Sequence, residues 1–129
     1  MATSPQFAGT PLNGSVLLSA TADASFTAPT HSVLVVTAGA SGSKIDEIRL
    51  TGTGTTVTGL INIWAFDSST YWLIDSVVVP VVTPSTTVAA WVWSKSYPNL
   101  ILLSNSWSIK VSTTATSQLV CASAFGGSF

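Results

Sequence analysis

The sequence predicts an all-β fold: a single-domain antiparallel β-sandwich or jelly-roll-like domain with an extended N-terminal arm. Three observations predict it. Apolar residues come in short runs split by clusters of Gly, Pro, Ser, Thr and Asn. These runs recur at roughly the 8–12-residue spacing typical of sandwiches and barrels. No segment carries the apolar repeat of a long amphipathic helix. A chain of 129 residues is long enough for one domain with a core of its own.

Residues 1–14 hold Pro5, Pro11, Gly9 and Gly14 around two isolated apolar residues, Phe7 and Leu12. With no periodicity, this stretch reads as an arm that docks elsewhere through those two anchors. Residues 15–129 form the β-domain. Strands are expected over residues 16–20, 32–38, 44–52, 58–67, 71–79, 87–94, 100–103, 107–113 and 118–124. Only residues 97–103 leave room for a helical turn. In the third strand Ile48 and Leu50 share one face, and Glu47, Arg49 and Thr51 the other. Trp107, Ile109 and Val111 likewise oppose Ser108 and Lys110. Asp67-Ser-Ser-Thr70 is a hairpin loop whose aspartate is suited to bond its own backbone. Thr83-Pro84-Ser85 is a tight corner, and Gly52-Thr-Gly54 and Gly126-Gly127 read as flexible punctuation.

Two strands are apolar on both faces. Leu60, Trp64 and Phe66 oppose Ile61, Ile63 and Ala65, while Trp91 and Trp93 oppose Ala90 and Val92. A two-layer sandwich covers one face of each sheet, so these strands call for a second cover. The expected cover is the arm or a neighbouring subunit, which makes Phe7, Leu12, Leu60, Ile61, Ile63, Trp64, Trp91 and Trp93 the candidate interface residues.

Charge points the same way. Only nine side chains are charged, the formal net charge is −1, and 20 Ser and 18 Thr supply most of the polarity. Soluble domains usually carry about a quarter charged residues, which keep neighbours apart. The composition therefore suggests a subunit covered by copies of itself or by a larger assembly. Four Lys and Arg give no electrostatic footprint for nucleic acid, and no polybasic run suits a membrane surface. No run approaches the ~18 apolar residues of a membrane helix. The first residues lack the basic and apolar regions of a secretory signal, so synthesis in a cytoplasm is expected.

Catalytic and metal chemistry find few candidates. His31 is the single histidine, and no serine sits in a nucleophile-elbow pattern. Asp46 and Glu47 are adjacent and so point apart on a strand. The expected pairing of Glu47 is with Lys44 or Arg49. Asp23, Asp67 and Asp75 are scattered, with no calcium-loop spacing, and one Cys with one His cannot make a zinc site. Cys121 reads as a small buried residue on the last strand. The expectation is no catalytic residue, no metal and no cofactor. Five tryptophans (64, 72, 91, 93 and 107) suit core and interface packing. Stacking on sugar rings is the alternative, but the Asp, Glu, Asn and Arg that would bond the hydroxyls are scarce.

The segment from Ile45 to Phe129 resembles small virion structural proteins of tailed bacteriophages. The residues that carry the resemblance are Ile45-Asp-Glu-Ile-Arg-Leu-Thr51, Gly54-Thr-Thr-Val-Thr-Gly-Leu-Ile-Asn-Ile63 and Val81-Val-Thr-Pro-Ser-Thr-Thr-Val-Ala-Ala90. To these is added the ending Ala122-Ser-Ala-Phe-Gly-Gly-Ser-Phe129, in which Ser128 stands where such endings carry an acid. The resemblance implies a capsid decoration or cement protein, located in the virion, that strengthens the head shell through subunit contacts. Its implied partners are the major capsid protein or another virion protein and further copies of itself. A trimer is favoured, as suits a local threefold of a capsid. The alternative is a carbohydrate- or receptor-binding module of a head or tail fibre.

Overall fold

Eight strands make up the regular structure of residues 9–129, the part of the chain that the computed structural model describes. In chain order they are β1 (Thr10–Leu17), β2 (Val33–Thr37), β3 (Ser43–Gly52), β4 (Gly59–Phe66), β5 (Tyr71–Val79), β6 (Val92–Leu102), β7 (Ser108–Thr113) and β8 (Val120–Ser128). One sheet has the order β1-β8-β3-β6 and the other β2-β7-β4-β5, with every pairing antiparallel. The first strand thus pairs with the last, the second with the seventh, the third with the sixth and the fourth with the fifth. A long hairpin rolled up on itself gives this order, and the two four-stranded layers are those of an eight-stranded jelly roll. The all-β sandwich expected from the sequence is the fold.

The boundaries differ from the sequence reading in several places, among them Gly126 and Gly127, which are not flexible punctuation but part of β8. Residues 10–14 are not arm: they are the first five residues of β1, paired with β8 from Thr10↔Ser128 to Gly14↔Ala124. Residues 1–8, including Phe7, lie outside the described residues. The expected strands at 87–94 and 100–103 are one strand, β6, running through Pro98. Proline is tolerated there because β6 is a sheet edge, and no helical turn forms at 97–103. Residues 80–91 are instead a connecting loop.

A bulge at Asp46 shifts the register of β3 against both neighbours. It lets Ile45 turn inward with Ile48 and Leu50, all three fully buried, while Glu47 and Arg49 face out. The core between the layers gathers these with Ile61, Ile63, Val77, Val79, Leu102, Ile109, Val111 and Val120. At one flank β1 and β2 approach so closely that a Cβ at Gly14 would overlap the carbonyl oxygen of Val35. Gly14 is therefore a close-approach glycine that closes the sandwich. At the other flank a polar clasp joins the layers. Asp75 of β5 accepts hydrogen bonds from Lys95 Nζ at 2.9 Å and from the Tyr97 hydroxyl at 2.8 Å, both on β6. Burial, together with the Asp75 carboxylate, pushes the Tyr97 hydroxyl pKa well above its ordinary value, so it stays a donor.

Candidate interaction surfaces

Three of the eight expected interface residues are claimed by the chain itself. Ile61 and Ile63 are fully buried in the core between the sheets. Trp64 is also fully buried, although it lies on the opposite, outward face of β4. Its cover is intramolecular. The Trp64 indole donates to Ser112 Oγ at 2.9 Å on β7. Tyr71 of β5 meets it edge-on at 5.8 Å and also packs on Phe66 at 4.3 Å. The Tyr71 hydroxyl is hydrogen-bonded to Ser32 Oγ at 3.1 Å, just ahead of β2, and accepts from Lys110 Nζ at 3.5 Å. Tyr71 thus spans the sheet, and at Trp64 the second cover expected from the arm or a neighbouring subunit comes from an aromatic lid of the β-domain itself.

Leu12, Trp91 and Trp93 are half-buried and pack against the core. Leu12 is a member of β1 and not a free anchor. Leu60 is half-buried at the outer face of the second sheet, opposite Val78. Of the expected set, Leu12, Leu60, Trp91 and Trp93 retain surface that another molecule could touch. The apolar residues that do face outward are different ones: Val78 and Leu103 at 71% exposure, Leu17 at 63% and Val81 at 62%. They were hidden in the sequence because an isolated exposed valine has no local signature.

The nine charged side chains are all engaged within the chain. Lys44 pairs with Asp46 at 3.2 Å, Arg49 with Glu47 at 3.1 Å, and Lys95 with Asp75. Lys110 stands 4.4 Å over the Phe66 ring. Asp67 Oδ1 accepts from the backbone N–H of Thr70 at 2.7 Å and of Ser69 at 3.0 Å, as the hairpin expectation had it. Those bonds, with one from the Trp72 indole, lower the Asp67 pKa to about 2.

Asp23 is the unforeseen member. It is buried, yet Oδ2 accepts from the N–H of Thr30 at 2.6 Å and of His31 at 2.8 Å, and Oδ1 from the N–H of Ser25 at 3.0 Å. Burial opposes its charge, but these three N–H groups and the nearby His31 ring outweigh that and hold its pKa below the ordinary value. The carboxylate staples the loop ahead of β2. His31 Nδ1 lies 3.8 Å from Asp23 Oδ2 and is hydrogen-bonded to Thr30 Oγ1 at 3.1 Å. Acid and hydroxyl thus meet the same ring nitrogen. A nucleophile–base–acid relay needs them on opposite nitrogens, so this geometry serves the loop. Among the described residues, no three His, Cys, Asp or Glu side chains converge as metal ligands would.

A pH dependence follows from the two aspartates. Each has a folded-state pKa below its ordinary 3.8, so the unfolded chain binds the extra protons. Their contribution is complete above about pH 4 and is lost as pH falls toward 2. The melting temperature should hold from neutral pH down to about 4 and then drop. Asp23→Asn should melt lower at neutral pH and show a shallower acid decline. Thermal melts of the two proteins between pH 7 and 2 check this, and identical pH profiles would refute it.

A shallow cleft of about 330 Å³ lies where β1 begins, lined by Gly9, Thr10, Pro11, Asp46, Gly126 and Gly127. Its one charged group, Asp46, is already paired with Lys44. Comparison with known proteins adds no template for a site: no family model, no curated protein and no solved structure matches the chain.

Proposed function

We propose that this chain is an accessory structural protein of a bacteriophage virion, a decoration or cement subunit that acts by contact. The observation that carries the reading is that every charged side chain has an ion-pair, hydrogen-bond or aromatic partner inside the chain, while valines and leucines face outward. With few charges, the recognition chemistry on offer is mainly apolar contact and hydrogen bonding by hydroxyl groups and backbone. The jelly-roll strand order supports the reading by analogy, because this architecture also builds viral capsid domains. Apolar burial at ~25 cal/mol per Å², repeated over many copies on a shell, adds up to a large stabilisation.

The test is co-sedimentation of the purified protein with phage heads that lack it. Binding to the heads, with an increase in the temperature at which they release DNA, is the expected result. Protein that stays in the supernatant while its tryptophan fluorescence responds to added glycans would replace this reading with the carbohydrate-binding one.

A further inference from the structure

We propose that the free edge of β5 is a self-association site, at which residues 76–79 of two copies pair antiparallel about a twofold axis. The inference rests on the reading of this chain as a contact protein and specifies one of its contacts. Among the described residues the jelly roll has four edge strands, β1, β6, β2 and β5. Each exposes backbone N–H and C=O groups that only another extended strand satisfies, and folded proteins usually block such edges. Three of the four are blocked. β1 carries Pro11 and is backed so tightly by β2 that only Gly14 fits. β2 is bulged at Val35, where its register against β7 shifts. β6 carries Lys95 and Pro98, and its register breaks between Ser96 and Leu100.

β5 is guarded in its first part alone, by a bulge at Ile74 and by Asp75 turned toward β6. From Ser76 to Val79 it runs in unbroken register against Asn62, Ile61, Leu60 and Gly59 of β4. No charge, proline or bulge interrupts these four residues, and the sequence stays uncharged from there to Ser94. Val77 and Val79 are buried inward, whereas Val78 is 71% exposed on the outer face beside half-buried Leu60.

Elimination also identifies the partner. The one edge of a second copy open to pairing is again β5, so the contact is isologous and yields a closed pair. The two second sheets join into one eight-stranded sheet, and the two Val78 side chains fall on the same face, opposite or diagonal to each other. No like charges meet there, because Asp75 is already held by Lys95 within its own chain. This geometry gives a twofold dimer where the sequence favoured a trimer. A ladder this short buries less than the ~1,200 Å² of a stable interface, so the pair is weak alone and gains from being arrayed.

Sedimentation velocity of the purified protein over a range of concentrations, with no virion present, tests this separately from the function above. The wild type should move from monomer to dimer as concentration rises. Val78→Lys should keep its circular dichroism and melting temperature, since the site is exposed, and dimerise about tenfold more weakly or worse. Mixing Val78→Lys with Val78→Glu should restore a heterodimer. A wild type that stays monomeric, a particle of another stoichiometry, or a dimer untouched by Val78→Lys would overturn the proposal.

Discussion

Trp64→Ala should destabilise the folded chain by about 3–5 kcal/mol, the range for truncating a fully buried aromatic. At roughly 3 °C per kcal/mol for a domain of this size, the melting temperature falls by about 10–15 °C. Two losses add. The indole leaves a cavity beneath Tyr71, and the buried Ser112 hydroxyl loses its 2.9 Å donor. Trp64→Phe keeps most of the volume and should cost roughly 1–2 kcal/mol, mainly the hydrogen bond. Ile63→Asp on the opposite face places an unpaired charge in the core and should prevent folding outright. Denaturant titration of the purified variants checks all three. Were Trp64 an interface residue, its truncation would dissociate an oligomer and leave monomer stability unchanged. That outcome would refute the intramolecular lid.

The same tryptophan marks where sequence reasoning succeeded and where it stopped. Alternation along β4 and β7 was legible because period-2 patterning is local: Ile61 and Ile63 oppose Trp64, and Ile109 and Val111 oppose Lys110. The hairpin at Asp67 was legible because its hydrogen bonds reach no further than Thr70. What covers Trp64 was not, because Tyr71 and Ser32 are 39 residues apart and nothing in either segment announces the other. A second cover was expected from the arm or a neighbouring subunit, whereas at Trp64 it comes from Tyr71 and Ser112 within the β-domain. Asp23 escaped notice for the opposite reason. Its partners Ser25, Thr30 and His31 are close in sequence, but an aspartate in a Ser/Thr-rich stretch is indistinguishable from any loop residue until the backbone turns its N–H groups inward. The surface reading inverted similarly. Large residues drew attention as interface candidates, and the fold buried three of them, leaving small Val78 on an open edge.

Gly126→Ala should approach the loss of Trp64 in its effect, although it adds only one methyl group. Gly126 lies on β8 between Leu12 of β1 and Ile45 of β3. A Cβ there would overlap the carbonyl oxygen of Lys44 and come within 2.9 Å of its carbonyl carbon and 3.0 Å of Ile45 Cα. All three are backbone atoms, so no side-chain rotation relieves the contact. The cause is the bulge at Asp46, which offsets β3 where Ile45 pairs with Gly126 and Glu47 with Phe125. That offset turns Ile45 into the core, so the glycine and the bulge form one device. Relief would require either parting β8 from β3 or undoing the bulge and exposing Ile45. Overpacking typically costs ~1–3 kcal/mol where side chains can yield, and a rigid backbone places this case at or above the upper end. Gly9→Ala, where an added Cβ would meet nothing within 4 Å, serves as the control and should cost much less. Denaturant midpoints of the two variants decide the matter. Equal, small shifts would mean that β8 slides freely on β3, and the glycine would then be the flexible punctuation that the sequence suggested.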